Sequence, residues 1–314
     1  MSDRKLVSIV TPCFNEEANV RLHFERVGNA IAPFRERYDF EHIYTDNQSQ
    51  DRTFALLKEL AAEHSNVRAM RFSRNLGANR AIFIGLQHAQ GDATILIQAD
   101  LQDPPELIPD FLRLWEEGWD VAYGKILGRK ENFILRTLRR QYYRMVSQLS
   151  DIPIPENAGE FRLTSRRALD AILQFEEDDL YVRGAVARIG YAQKPVPYQR
   201  AERAGGRSSI SFFGLIAYGM NGLFSNTLVP LRAVIVIGFF MALLGVFLTL
   251  GLVVGKLIMP GAAPHGFTTI ASLITLFAGS QMFALGIIGE YIRKIYVQSL
   301  HRPRGFIQDR VNLP

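Results

Sequence analysis

Cysteine is almost absent: Cys13 is the one cysteine in 314 residues. A disulfide framework within the chain, and any zinc site built on a cysteine cluster, are thereby excluded. No G-x-G-x-x-G follows the first predicted strand and no G-x-x-x-x-G-K-[ST] occurs, so a dinucleotide fingerprint and a P-loop are both missing. Tryptophan is limited to Trp115 and Trp119, which flank a helix end. His23, His42, His64 and His88 scatter over predicted helices and strands with no metal-ligand spacing, and they read as structural. The N-terminal MSDRKLVSIVTP carries too short an apolar stretch for a signal peptide. With 48% hydrophobic and 21% charged residues the chain is too apolar for disorder and too charged for a polytopic membrane protein.

What is present is unevenly placed. The mean hydropathy of +0.02 averages two unlike parts. Ala233–Gly255 and Phe267–Gly289 are each 23 residues without a charge. As a helix, each run would extend about 34 Å, enough for a hydrocarbon core of roughly 30 Å. The connection between them holds Pro260, Gly261, Pro264 and Gly266, which predicts a turn and hence a two-span hairpin. Arg200, Arg203, Arg207 and Arg232 precede the first run, and Arg293, Lys294, Arg302, Arg304 and Arg310 follow the second, whereas the turn offers only Lys256 and His265. That asymmetry places both flanks and the N-terminal part in the cytoplasm. Ser209–Thr227 has one apolar face, with Phe212, Phe213, Ile216, Met220 and Leu223, and predicts an interfacial helix. The expected organisation is a catalytic domain over 1–208, the interfacial helix over 209–227, the hairpin over 228–289 and a basic tail over 290–314.

Over the first part, apolar strands alternate with amphipathic helices. Strands are predicted at Val7–Thr11, His42–Thr45, Val67–Phe72, Ala93–Ala99 and Asp120–Gly124, with helices at Glu17–Ile31, Asp51–His64, Ala78–Ala89 and Glu106–Glu117. This order predicts an α/β fold with a mostly parallel sheet, whose ligands bind beyond the carboxyl ends of the strands. Three of those ends are acidic: Pro12-Cys13-Phe14-Asn15-Glu16-Glu17, Asp46 through Asp51, and Asp100-Leu101-Gln102-Asp103. Singly, these residues read as turns and helix starts. Together on one sheet edge they need a cation or ligand donors to offset their repulsion. Carboxylate, amide and phosphate oxygens are the ligand set of Mg2+ or Mn2+.

The stretches IVTPCFNEE, TDNQSQDRT, SRNLGANRAIFIGL and ADLQDPPELIP, in this order, resemble GT-A fold glycosyltransferases of family 2. More narrowly, the chain resembles the polyprenyl-phosphate glycosyltransferases, such as dolichyl-phosphate mannose synthases and bacterial undecaprenyl-phosphate sugar transferases. The likeness continues through DIPIPENAGEFRL, YVRGAVARIGY, RAGGRS and FSNTLVPLR to the hairpin and covers essentially the whole chain. It implies a Rossmann-like GT-A domain that contacts a nucleotide-sugar donor through Pro12, Phe14, Asn15, Glu16, Asp46, Asn47, Gln98, Ala99, Asp100 and Arg203. It implies a divalent metal, Mg2+ or Mn2+, on Gln98, Asp100 and Gln102, and Asp100, Asp103 and Arg203 as catalytic residues. Gln98 stands where the family has an aspartate, Asn47 where a second aspartate is usual and Ser209 where a lysine is usual; Glu160 is the acid of its segment. Metal affinity is expected to fall with Gln98, unless Asp103 helps.

The resemblance also implies an inverting transfer to undecaprenyl phosphate at the bacterial inner membrane, for cell-envelope glycan modification. UDP-glucose is the first donor to test, and a homotetramer is the implied assembly. A phosphate acceptor is already an anion at neutral pH, so no dedicated base is needed and positioning cations matter more. Lys125–Ser150 supplies them, with seven basic residues against one acid, a net +6. Arg129, Arg136 and Arg139 are the implied acceptor-phosphate ligands. Nucleic acid is the other partner such a segment suits, but a neighbouring hairpin favours lipid phosphate. A processive polysaccharide synthase is disfavoured, because neither tryptophan lies in a Q-x-x-R-W motif. The alternative of another class is a catalytically weak homologue acting as a lipid-phosphate-binding membrane scaffold, motivated by Gln98 and Asn47.

Overall fold

The computed structural model describes residues 4–127, 158–177, 180–200, 229–258 and 266–313. The chain divides into two units. The first comprises residues 1–148, 152–216 and 302–314, and the second residues 149–151 and 217–301.

The first unit is built on one eight-stranded sheet. In chain order its strands are β1 (Lys5–Cys13), β2 (Tyr38–Asp46), β3 (Val67–Phe72), β4 (Ala93–Leu96), β5 (Val121–Ile126), β6 (Ala158–Ser165), β7 (Gln193–Tyr198) and β8 (Ile307–Val311), arranged β7-β5-β6-β4-β1-β2-β3-β8. The pairs β1–β2, β1–β4, β2–β3 and β5–β7 are parallel. β6 lies antiparallel between β4 and β5, and β8 lies antiparallel on β3. The mostly parallel α/β expectation therefore holds, but the alternation of strands and helices did not reveal three strands: the antiparallel β6 and β8 and the parallel edge strand β7. The helices are α1 (Val20–Ile31), α2 (Thr53–Glu63), α3 (Ala78–Gln87), α4 (Ile108–Glu116), α5 (Arg166–Leu173) and α6 (Val182–Arg188).

Both faces of the sheet are covered, which explains why its central strands are apolar almost throughout. Successive strand residues point to opposite faces. Val7 and Ile9 meet Val27 and Ile31 of α1 and Phe111 and Leu112 of α4, while Val10 and Ile43 meet Ile82 and Leu86 of α3 and Leu169 of α5. The first helix starts at Val20 rather than Glu17. The backbone of Glu16–Val20 first closes a turn in which Glu16 O accepts from Asn19 N and Val20 N at 2.9 and 3.0 Å. Gly85 of α3 lets that helix lie close on the sheet, since a Cβ there would come within 2.6 Å of Val10 Cγ1 and 2.9 Å of Thr45 Cγ2. The expected basic tail is divided between the units: 290–301 belong to the second, and 302–314, which include β8, to the first.

His23 of α1 and His42 of β2 are buried beside Tyr44. His42 Nε2 lies 2.9 Å from Thr11 Oγ1. Burial pulls the His23 imidazole down to about 3, with Arg26 adding to it, and burial pulls His42 well below its ordinary value. Above pH 6.5 both rings are neutral whether the chain is folded or not. Below it the unfolded chain takes up protons that the folded chain refuses. Stability is therefore expected to fall as pH drops from about 6.5 toward 3, by about 1.4 kcal/mol per pH unit from His23, with His42 acting in the same sense. The Asp46 and Asp103 carboxyls, raised chiefly by burial, act in the opposite sense at lower pH. Urea midpoints of wild type and His23→Phe isolate the histidine share. Trp115 and Trp119, the chain's two tryptophans, report the unfolding of the first unit alone. The variant should show the flatter slope between pH 6.5 and 5; equal slopes would remove His23 as a source of acid lability.

The second unit holds two long helices, α7 (Val229–Ile258) and α8 (Gly266–Ser299), which contain both uncharged runs. Where a Cβ would stand on Gly245 of α7, Phe277 Cζ of α8 is 3.7 Å away. Part of the side chains of both helices falls outside the described residues. Among the described residues, no helix is long and apolar enough to cross a membrane. The expected interfacial helix, 209–227, lies outside the described residues.

Candidate active site

The parallel register brings three strand ends together. Cys13 pairs with Asp46, Asp46 pairs with Arg71, and Leu96 pairs with Val10. The loops that leave β1, β2 and β4 thus start side by side on one edge. In each of them one non-glycine residue takes a left-handed backbone: Asn15 at φ 55°, Gln48 at φ 61° and Leu101 at φ 57°. Such backbones cost of order 1–3 kcal/mol each and cluster at functional sites. Here they coincide with the three acidic segments singled out in the sequence.

Asp46 has no exposed surface. Its carboxylate accepts from Ser49 Oγ and from Ser49 N at 3.2 Å, and Arg71 Nε lies 3.4 Å away. Burial, partly offset by Ser49 and Arg71, raises its carboxyl above the usual carboxylate range. Asp46 therefore shapes the 47–50 loop from beneath. Ser49 Oγ in turn accepts from Asn15 N at 2.9 Å, and Asn15 Oδ1 accepts from Gln50 N at 2.8 Å, so the first two loops are stitched to each other. Glu16 N donates to Thr53 Oγ1 at 2.8 Å, and the buried Glu16 carboxylate accepts from Asn19 Nδ2 at 2.6 Å. Asn15 is exposed, and Pro12 and Phe14 are half-buried. Burial pushes the Cys13 thiol well up, with Asp46, Glu16 and Asp51 adding to it, which leaves it a packing residue.

Asn47 is buried and turned away from the acids. Its Oδ1 accepts from Leu76 N at 2.8 Å and its Nδ2 donates to Asn75 Oδ1 at 3.0 Å. A carboxylate could not make the second bond, so the amide has a local reason to be there. The scaffold alternative loses one of its two motives accordingly.

After β4, Gln98 is half-buried, Ala99 is buried and Asp100 retains 9% exposure. Gln102 N donates to Asp100 Oδ1 at 3.2 Å, closing an Asx turn. Asp103 does not join Asp100 as an open carboxylate. It is buried, accepts from Tyr198 Oη and lies 3.3 Å from Arg200 Nε. Burial raises its carboxyl, against the pull of Arg200 and Tyr198. Among the described residues no cluster of three His, Cys, Asp or Glu side chains could hold a metal. The donors on offer are one carboxylate, Asp100, with the amide oxygens of Gln98 and Gln102. That hard-oxygen set suits Mg2+ or Mn2+, which commonly bind through one or two carboxylates and complete their shell with phosphate and water.

Sequence reasoning missed a buried charge cluster beside this loop. Glu160, near the start of β6, accepts from Arg183 Nε of α6 at 2.5 Å and lies 3.5 Å from Arg162 Nη2. Because β6 runs antiparallel, its first residues reach the carboxyl edge. Arg203 and the acceptor residues Arg129, Arg136 and Arg139 lie outside the described residues.

The family model described as "Glycosyl transferase family 2" matches residues 8–173. CsbB of Bacillus subtilis (strain 168), which carries a glycosyltransferase name without a stated substrate, is 36% identical over 98% of this chain and 93% of its own length. The "Bactoprenol glucosyl transferase" of Shigella phage SfV is 32% identical over 96% of this chain and 98% of its own. Among solved structures, a mannosyltransferase from Pyrobaculum calidifontis in complex with GDP-Man and Mn2+ is similar at 15% identity and a TM-score of 0.49, over 95% of this chain and 88% of that one.

Proposed function

The chain belongs to glycosyl transferase family 2, and from that premise we propose that it transfers a sugar from a nucleotide-sugar, UDP-glucose first, to a polyprenyl phosphate at a membrane face. The observation that carries this reading is the likeness to a bactoprenol glucosyl transferase over 96% of the chain, held beside a sheet edge where the loops after β1 and β2, with Phe14 and Asn15, are stitched to each other and the loop after β4 carries Gln98, Asp100 and Gln102. An acceptor phosphate oxygen attacks the anomeric carbon, the bond from that carbon to the diphosphate oxygen breaks, and the electron pair leaves with the nucleoside diphosphate. The configuration inverts.

No proton need be removed from such an acceptor, so the protein's task is placement and charge compensation. Asn15 and Phe14 face the nucleoside, while Asp46 and Ser49 hold the loop that backs them. A divalent cation on Asp100, Gln98 and Gln102 would offset the charge developing on the diphosphate. Arg203 serves the same diphosphate, and Arg129, Arg136 and Arg139 take the acceptor phosphate.

Membrane placement is part of the proposal. The two uncharged runs lie within helices of 30 and 34 residues. Large apolar side chains stand exposed along them, among them Ile235, Phe239, Phe240, Phe247, Ile274, Met282 and Phe283. A water-facing surface seldom carries a patch of that kind; a hydrocarbon environment accounts for it. The basic flanks then orient both ends to the cytoplasm, and the assembly to test is a homotetramer.

The direct test incubates purified full-length protein in lipid nanodiscs with undecaprenyl phosphate, Mg2+ or Mn2+, and a panel of UDP- and GDP-sugars. A sugar bound to the lipid through one phosphate is expected, with UDP-glucose the best donor. No lipid-linked sugar from any donor would overturn the reading.

A further inference from the structure

We propose that the C-terminal segment Arg304–Leu313 is a positioning element of the donor site, acting through the 73–77 loop and Asn47. The inference rests on the donor reading above and adds a second layer to it.

The segment is fastened to the rest of the first unit at every few residues. Arg304 Nη2 donates to Phe175 O at 2.8 Å and to Glu177 O at 3.0 Å, and its guanidinium lies 4.1 Å from the Phe83 ring centroid. Ser73 N donates to Phe306 O at 3.0 Å. Ile307–Val311 pairs antiparallel with Ala69–Phe72. Asn312 Nδ2 donates to Ala61 O at 2.8 Å and to Val67 O at 2.9 Å, from a backbone at φ 55°. Gly305 lies directly on Leu76: a Cβ there would collide with Leu76 Cδ1 and sit 3.2 Å from Ile84 Cδ1.

The partner of these contacts is the loop that the donor edge also grips. Leu76 N and Asn75 Oδ1 are the two groups bound by Asn47, and Asn75 Oδ1 also accepts from Gly77 N at 2.9 Å. Asn47 follows Asp46 directly, and Asn47 N donates to Cys13 O at 2.9 Å. The chain of contact thus runs from Gly305 and Phe306 to Ser73 and Leu76, then to Asn47, then to the ends of β1 and β2. The loop has little else to fix it: Ser73, Arg74, Asn75 and Gly77 are exposed and only Leu76 is buried. Residues 217–301 precede this segment in the chain. The donor edge is therefore completed by residues that follow the second unit, and a chain ending before residue 302 would lack that support.

Linkage supplies the test, because a segment that orders the donor loop must itself be ordered further by the donor. Hydrogen exchange of the wild-type full chain is followed with and without saturating UDP-glucose and Mg2+. The expected result is slower exchange at 46–50, at 73–77 and at 305–311. Slower exchange at 46–50 with 305–311 unchanged would overturn the inference and leave the donor reading standing. No change anywhere, repeated across the UDP- and GDP-sugar panel, refutes the donor reading and the inference with it. A kinetic arm uses Gly305→Val, which pushes Leu76 off its seat, and Asn312→Ala, which loosens the segment far from the loop. Donor KM is expected to rise about tenfold in the first, the effect of losing about one well-made hydrogen bond, with acceptor KM and kcat within about twofold. A donor KM equal to wild type in both variants refutes the positioning role.

Discussion

Replacing Asp100 by asparagine is expected to slow sugar transfer by about a thousandfold while leaving the unfolding of the sheet unit unchanged. The argument is one of charge count. Of the three donors Gln98, Asp100 and Gln102, only Asp100 is a carboxylate. Asp103, the other carboxylate nearby, is already engaged by Tyr198 and Arg200. The family resemblance led to an expectation that Asp103 could compensate for Gln98, but its partners hold it elsewhere. All the negative charge available to a cation at this loop therefore resides on one side chain. The substitution is also local, because an asparagine Oδ1 still accepts from Gln102 N and preserves the turn at Leu101. The measurement is kcat in the lipid-linked sugar assay, together with the Mn2+ concentration needed for half-maximal rate. A loss under tenfold would show that the amides and substrate oxygens suffice to hold the cation.

Much of this edge was legible in the sequence, and for a physical reason. Buried parallel strands are short apolar runs, so the residue that ends each run is the residue at the carboxyl edge. Val67–Phe72 was placed to the residue, and Asp46 and Asp100 were found because each directly follows such a run. What these residues touch was not legible. Asp46 was expected against the nucleoside, yet it is buried under its own loop, held by Ser49 and by an arginine one strand away. That pairing depends on the β2–β3 register, which local pattern does not encode. Asn47 likewise looked like a lost acid until its amide was seen gripping Asn75 and Leu76. β6, β7 and β8 escaped: β6 and β8 pair antiparallel with strands distant in the chain, and β7, though parallel to β5, joins it at the sheet's edge with half-exposed, proline-bearing residues. The few apolar residues of QDRV and its neighbours look like a solvated basic tail when read alone.

Glu160→Gln is expected to destabilise the sheet unit by about 3–5 kcal/mol, the usual cost of breaking a buried ion pair from one side. Burial alone would push the Glu160 carboxyl up, but Arg183 and Arg162 outweigh it and hold the group below the usual carboxylate range. The Arg162 side chain is only 5% exposed and also donates to Gly159 O at 2.8 Å and Glu160 O at 3.1 Å. Replacing the carboxylate by an amide leaves that cation buried with neutral carbonyl acceptors and no opposing charge from residue 160. Arg183, at 23% exposure, can turn toward water instead. The double variant Glu160→Gln, Arg162→Met should consequently lose less stability than the sum of the two single changes. Such a deviation identifies a pair that acts as a unit. Urea midpoints read from Trp115 and Trp119 provide all four corners of the cycle. A cost below about 1 kcal/mol for Glu160→Gln would mean that water already reaches Arg162. Arg200 acts on Glu160 as well as on Asp103, and Arg183 acts on Asp103 as well as on Glu160. Three arginines and two acids thus form one set next to the Asp100 loop, with Glu160, Asp103 and Arg162 buried and Arg183 and Arg200 half-buried at its rim. Its stability cost falls where an anionic donor and a cation would bring further charge, so a second effect should accompany the first: in Glu160→Gln the Mn2+ requirement of transfer should also shift.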